Sequence, residues 1–201
     1  MTRFFVLGDS HSEPLAPLLI EAGRGRGWSL AGKLARVGWS TARYANDDSW
    51  QSVISAARPD VVVVLLGTND AAQSQPAYVA QLGKVVDGVR AAGAPTIMWV
   101  GPPHTVNPAI DARIDRIVPW QAGFLPQMGV TWVDSRPMTG GGHAPDGVHF
   151  TRGGYAAWAG ALADTVAQDV GPRGSSVVVP FVLVAVVVAL FVATLGLKGK
   201  S

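Results

Sequence analysis

The chain predicts an α/β fold, a doubly wound and mainly parallel sheet, and three observations lead there. Short apolar runs alternate with longer amphipathic stretches from residue 3 to residue 170. Asp60–Leu66 contains Val61-Val62-Val63-Val64-Leu65-Leu66, an uninterrupted run of the kind buried on both faces in a parallel sheet. Ser10, Asn69 and the Gly101-Pro102-Pro103 turn each follow a predicted strand. In such sheets ligands bind beyond the carboxyl ends of the strands, so that shared edge groups them.

The elements follow in order. Arg3–Leu7 reads as a first strand and Glu13–Arg24 as a helix closed by Gly25 and Gly27. A second strand lies between Trp28 and Val37. Ser40–Ala57 reads as one helix, stopped by Pro59. After the valine run, Pro76–Ala92 is helical and Thr96–Val100 is the next strand. Ile110–Met128 is helical in part despite Pro119 and Pro126. Val130–Val133 is the last strand and Gly154–Val170 the last helix of the domain.

At 201 residues the chain holds one domain with a sizeable core and is too short for two of typical size. Of its 16 basic residues against 14 acidic, Lys198 and Lys200 lie beyond the last acidic residue, Asp169. The globular part is therefore formally neutral, and no nucleic-acid partner is expected. With no cysteine there is no disulfide, thiol nucleophile or thiolate metal site.

Both termini carry expectations. Thr2-Arg3-Phe4-Phe5-Val6-Leu7 is too short for a signal peptide, and cleavage there would remove Ser10, so Met1 is read as the start of the folded domain. The domain occupies 1–170 and a Gly/Pro/Ser linker 171–176. Val177–Leu197 carries no charge and is about long enough to cross a bilayer as a helix. Its interruptions are Pro180, tolerated in a first turn, Thr194 and Gly196. Residues 198–201 form a basic tail. The expected arrangement is a single-pass carboxyl-terminal transmembrane anchor. The positive-inside rule places the tail in the cytoplasm, whereas the missing export signal keeps the domain there. The second argument is preferred, giving a cytoplasm-facing domain.

Four islands carry the chemistry: Gly8-Asp9-Ser10-His11, Val37-Gly38-Trp39, Gly67-Thr68-Asn69-Asp70 and Asp146-Gly147-Val148-His149. Ser10, between a strand and a helix, is a candidate nucleophile; the plain alternative is a helix cap. His11 is adjacent, and neighbouring side chains diverge, so the base must come from elsewhere. His149 fits, with Asp146 three residues earlier to hold one imidazole nitrogen. The alternative is a polar loop. Asn69 can donate to an oxyanion without titrating, and Gly38 lets a ligand approach its amide. An Asx turn and an ordinary left-handed glycine are the alternatives there.

Taken together the islands resemble the blocks of the SGNH hydrolases, or GDSL esterase/lipase superfamily, over Arg3–Val170. The resemblance implies a three-layer α/β/α sandwich of flavodoxin-like type, with no metal or organic cofactor. It implies Ser10 as nucleophile, His149 as base oriented by Asp146, and an oxyanion hole from Ser10, Gly38 and Asn69. Two positions depart from the pattern. His11 replaces the leucine of the commonest first block, and Trp39 follows Gly38 where a small residue is common. Asp9 and Asp70 are expected to bond loop amides rather than to react. Pro102-Pro103-His104 resembles a family turn near the pocket, with His104 read as a surface histidine.

The expected function is a membrane-anchored serine ester hydrolase acting on a small-molecule, lipid or glycan ester through an acyl-enzyme. An O-acyltransferase on the same site is one alternative, and a non-catalytic membrane-tethered binding module another. A metal site from His143, Asp146 and His149, with His104, fits no familiar zinc spacing. The tryptophans at 28, 39, 50, 99, 120, 132 and 158 are read mainly as packing, with only Trp39 beside an island.

Overall fold

Side chains alternate across a strand. In β1 (Thr2–Gly8) both alternating sets are apolar, Phe4 and Val6 on one face and Phe5 and Leu7 on the other. Such a strand must lie inside a sheet covered on both sides. The computed structural model, which describes residues 1–70 and 74–169, places it there. β1 is joined by β2 (Trp28–Ala35), β3 (Val61–Leu65), β4 (Thr96–Val100) and β5 (Thr131–Val133). All pairings are parallel and the order is β2-β1-β3-β4-β5. The chain winds outward from β1 in one direction and from β3 in the other, so the crevice between them opens at the carboxyl edge.

Among the described residues six α-helices complete three layers: α1 (Ser12–Ala22), α2 (Thr41–Ala45), α3 (Ser49–Ala57), α4 (Gln75–Ala91), α5 (Pro108–Phe124) and α6 (Arg152–Asp169). α1 and α6 cover one face, with Leu15, Leu19, Trp158 and Leu162 against Phe4, Val6, Val61 and Val63. α2 to α5 cover the other, where Tyr44, Trp50, Leu82 and Ile117 meet Phe5, Leu7, Val62 and Val64. Each fully buried valine of β3 contributes about 2 kcal/mol, and all five residues of that strand are buried.

The structure alters several of the expected boundaries. Ser40–Ala57 is two helices rather than one. Asp47 breaks it, its Oδ1 accepting the Ser49 N–H at 2.8 Å while Oδ2 pairs with Arg36 at 2.7 Å. α5 begins at Pro108, before the expected Ile110, because Asn107 Oδ1 accepts the N–H groups of Ala109 and Ile110 and proline suits the first helical turn. Its last turn tightens to a 3-10 segment at Leu125–Met128. The first helix likewise ends at Ala22, with Arg24–Arg26 forming a separate 3-10 turn. Among the described residues no helix is long and apolar enough to cross a membrane. The expected linker, membrane helix and tail at 171–201 lie outside the described residues.

Candidate active site

The end of β1 admits only glycine. A Cβ at Gly8 would stand 2.1 Å from the Leu65 carbonyl oxygen and 2.4 Å from Ser12 Oγ. Beyond it Asp9 N–H donates to Leu65 O, and the chain turns through Ser12 N–H to Asp9 O at 3.1 Å before entering α1. This turn lifts Ser10, partly exposed, onto the carboxyl edge of the sheet.

A second loop brings His149 to the same edge. Ala144-Pro145-Asp146-Gly147 is a β-turn closed by Gly147 N–H to Ala144 O at 3.0 Å, with proline second and Gly147 last at φ +70°. Ala144 N–H to His149 O and Thr151 N–H to Gly142 O, both 2.8 Å, close the loop. Asp146 Oδ1 accepts the N–H groups of Val148 and His149, and Oδ2 accepts His149 Nδ1–H at 2.7 Å. A carboxylate only accepts, so Nδ1 carries a proton, and in the neutral imidazole Nε2 then presents a lone pair. The Ser10 hydroxyl donates to it at 2.9 Å. These bonds, that from His149 Nδ1 first, hold the Asp146 carboxyl well below its usual range. Serine, imidazole and carboxylate thus form one chain.

The other two islands converge on the same edge. Arg36 N–H donates to Gly8 O, and a turn from Arg36 to Trp39 puts Gly38 in its third position at φ +71°. Asn69 follows β3 across a turn from Gly67 to Asp70. Its Nδ2 donates to Trp39 O at 3.2 Å and lies 3.5 Å from Asp9 Oδ2. Among the described residues the backbone N–H groups of Ser10 and Gly38 donate to no acceptor. Trp39 is held in turn by the Arg36 guanidinium, 4.1 Å above its ring, and by Tyr44 at 5.1 Å.

Three buried titratable groups support these loops. Asp9 Oδ1 accepts His11 N–H at 3.0 Å, while burial pushes its carboxyl up to about 7. Asp70 accepts Thr41 N–H and Thr41 Oγ1–H, at 2.9 and 2.7 Å, and the Tyr78 hydroxyl at 3.2 Å. Burial raises it to about 6 against those bonds. Both carboxylates accept loop amides. His11 turns away from Ser10: its Nδ1 is bonded to the Tyr155 hydroxyl at 3.0 Å, and burial lowers it to about 3. Sequence reasoning missed Thr41 and Tyr155. A buried aspartate and a buried histidine each require a polar partner, but the positions of those partners depend on the tertiary fold.

The remaining candidates are engaged elsewhere. His104 Nδ1 pairs with Asp111 at 3.0 Å, and His143 Nε2–H donates to His104 O at 2.9 Å. Among the described residues no group of three His, Asp or Glu is placed to hold a metal ion. Trp28, Trp50, Trp99 and Trp158 are buried in the core, while Trp39, Trp120 and Trp132 pack against it half-buried.

The chain belongs to the GDSL-like lipase/acylhydrolase family, whose model matches residues 6–157. It is therefore a hydrolase acting on ester bonds. No curated protein matches it. Solved structures share the fold. The inhibitor-bound aryl esterase of M. smegmatis superposes with a TM-score of 0.68 at 16% identity, over 84% of this chain and 99% of that one. A carbohydrate acetylesterase from Sinorhizobium meliloti gives 0.68 at 17% identity, with the same 84% and 99% coverage. A GDSL-like lipase from Bacteroides thetaiotaomicron gives 0.62 at 16%, over 84% and 89%. At these identities the likeness is one of fold.

Proposed function

We propose that the chain is a membrane-anchored serine esterase working through an acyl-enzyme. The observation that carries this is the unbroken relay from Ser10 Oγ through His149 to Asp146, at 2.9 and 2.7 Å. Ser10 Oγ attacks the ester carbonyl carbon while His149 Nε2 takes its proton. The Asp146 carboxylate stabilises the imidazolium without itself being protonated. The carbonyl oxygen becomes an oxyanion that accepts from the amides of Ser10 and Gly38 and from Asn69 Nδ2–H. The imidazolium returns the proton to the leaving alcohol oxygen, leaving an acylated Ser10. Water then attacks with His149 as base, and the acid is released.

The substrate is a small-molecule, lipid or glycan ester. Val177–Leu197 would anchor the domain, facing the cytoplasm, near such esters at the membrane. Transfer to a sugar hydroxyl in place of water is the alternative outcome of the same acyl-enzyme.

The test is hydrolysis of p-nitrophenyl acetate by the full chain in detergent micelles, beside Ser10→Ala and His149→Ala. Turnover is expected for the parent alone, with both variants folded and only the parent labelled by a fluorophosphonate on Ser10. Wild-type turnover in either variant rejects the mechanism. A folded parent without turnover or labelling favours a non-catalytic binding module.

A further inference from the structure

His149 is supported on three sides, of which the mechanism uses two. Ser10 meets Nε2 and Asp146 meets Nδ1, yet the Asp146 carboxylate and the His149 ring are 52% and 39% exposed. A solvent-exposed pair is a weak tether for a ring whose orientation must be held. The third support is His11, only 1% exposed, whose ring centre lies 5.2 Å from that of His149 at a tilt of 43°.

We propose that His11 is a positioning residue for His149, a buried imidazole platform locked by Tyr155 that fixes the plane of the base. The proposal rests on the reading of Ser10 and His149 as nucleophile and base. His11 is itself held firmly. Its N–H donates to Asp9, its Nδ1 is bonded to Tyr155, and Trp158 packs edge-on at 5.7 Å. Tyr155 and Trp158 belong to α6, which is packed on the sheet. The platform therefore connects the base to the core rather than to a surface loop. It is also the residue next to the nucleophile, so any shift of the turn after β1 carries Ser10 and the support of His149 together.

An imidazole is a costly filler here. Its Nε2 has no hydrogen-bond partner among the described residues, and burying such a group disfavours folding. Leucine, the residue of the commoner block, would fill the space at less cost but could not bond Tyr155. Burial keeps the His11 ring neutral down to about pH 3. No second positive charge therefore stands beside His149 when it takes the serine proton.

The experiment uses the full chain in micelles and four variants: His11→Leu, Tyr155→Phe, the double variant and His11→Asn. The asparagine amide nitrogen can take the place of Nδ1 toward Tyr155. Each single loss is expected to lower kcat roughly tenfold with KM within about twofold. The double variant should fall no further than the lower single, and His11→Asn should recover part of kcat. The low-field proton resonance of His149 Nδ1–H should broaden in His11→Leu, a readout independent of turnover. Unchanged kcat and resonance in His11→Leu, or multiplicative effects of the two single changes, overturn the proposal. A Ser10→Ala chain as active as the parent would instead overturn the reading of the site and leave the resonance to decide the platform.

Discussion

Asn69 donates its side-chain amide to the backbone carbonyl of Trp39, at 3.2 Å, and so ties the loop after β3 to the loop after β2. One N–H of that amide is thereby fixed. The nitrogen's other contact, 3.5 Å from Asp9, is long enough for an oxyanion to displace. Asn69→Ala removes the donor and the tie together. It is expected to lower kcat by about a hundred- to a thousandfold with KM little changed. Gly38→Ala should act differently. No atom lies within 4 Å of the added methyl, but φ is +71°, so backbone strain rather than a clash moves the amide. A smaller loss of kcat and a lower Tm are expected. Steady-state kinetics beside thermal melts separate the two, and an Asn69→Ala chain within threefold of the parent would remove Asn69 from the oxyanion hole.

Asp70 should govern stability before rate. Its carboxylate gathers the N–H and hydroxyl of Thr41 and the hydroxyl of Tyr78, all buried. Thr41→Val deletes one donor and leaves an acceptor short, at a cost of about 1–3 kcal/mol. A urea unfolding curve should show that loss, while kcat falls far less than in Asn69→Ala. An unchanged midpoint would mean that water replaces the hydroxyl.

The strands were legible because their signal is local. Phe4-Phe5-Val6-Leu7 and the Val61–Leu66 run are apolar on both faces, and only a central strand tolerates that. Three of the four islands were legible as candidates because they follow β1, β2 and β3, at the edge where this topology gathers loops, whereas Asp146–His149 lies well past β5, in the loop that enters α6. The break at Asp47 was not, since its ion-pair partner Arg36 comes from the loop after β2. The start of α5 could have been read from Asn107-Pro108, a cap followed by a first-turn proline. The acceptor at Trp39 is a backbone carbonyl, common to every residue, and left no trace in the sequence. The partner of His11 is Tyr155, far along the chain, and only the packing of α6 beside α1 unites them.

Buried ionisable groups give stability a pH dependence with opposing parts. The Asp9 and Asp70 carboxyls rise from 3.8 to about 7 and about 6 in the folded chain. Between those values the folded state keeps protons that the unfolded chain has lost, so their contribution falls as pH rises. His11 drops from 6.5 to about 3, so there the unfolded chain binds the extra proton and stability rises with pH over that window. Substitution separates the two. Relative to the parent, Asp9→Asn should gain stability from about pH 4 to pH 7, and His11→Leu should lose it from about pH 3 to pH 6.5. Urea midpoints at half-unit steps measure both differences, and a difference flat across either window contradicts the assigned shift.

Asp146 offers the sharpest separation of orientation from loop structure. Its Oδ1 holds the N–H groups of Val148 and His149, and its Oδ2 takes the proton of His149 Nδ1. Asn keeps an oxygen for the two backbone donors but turns an N–H toward Nδ1. The imidazole must then accept at Nδ1 and carry its proton on Nε2, the tautomer unable to take the proton of Ser10. Ala removes all three bonds but leaves the tautomer free. The two variants should therefore rank in opposite orders. Asp146→Asn should lose roughly a hundred- to ten-thousandfold in kcat with Tm close to the parent. Asp146→Ala should lose less kcat and more Tm, because the turn over Gly147 has lost its anchor. Equal kcat in the two variants would show that the tautomer is not what Asp146 controls.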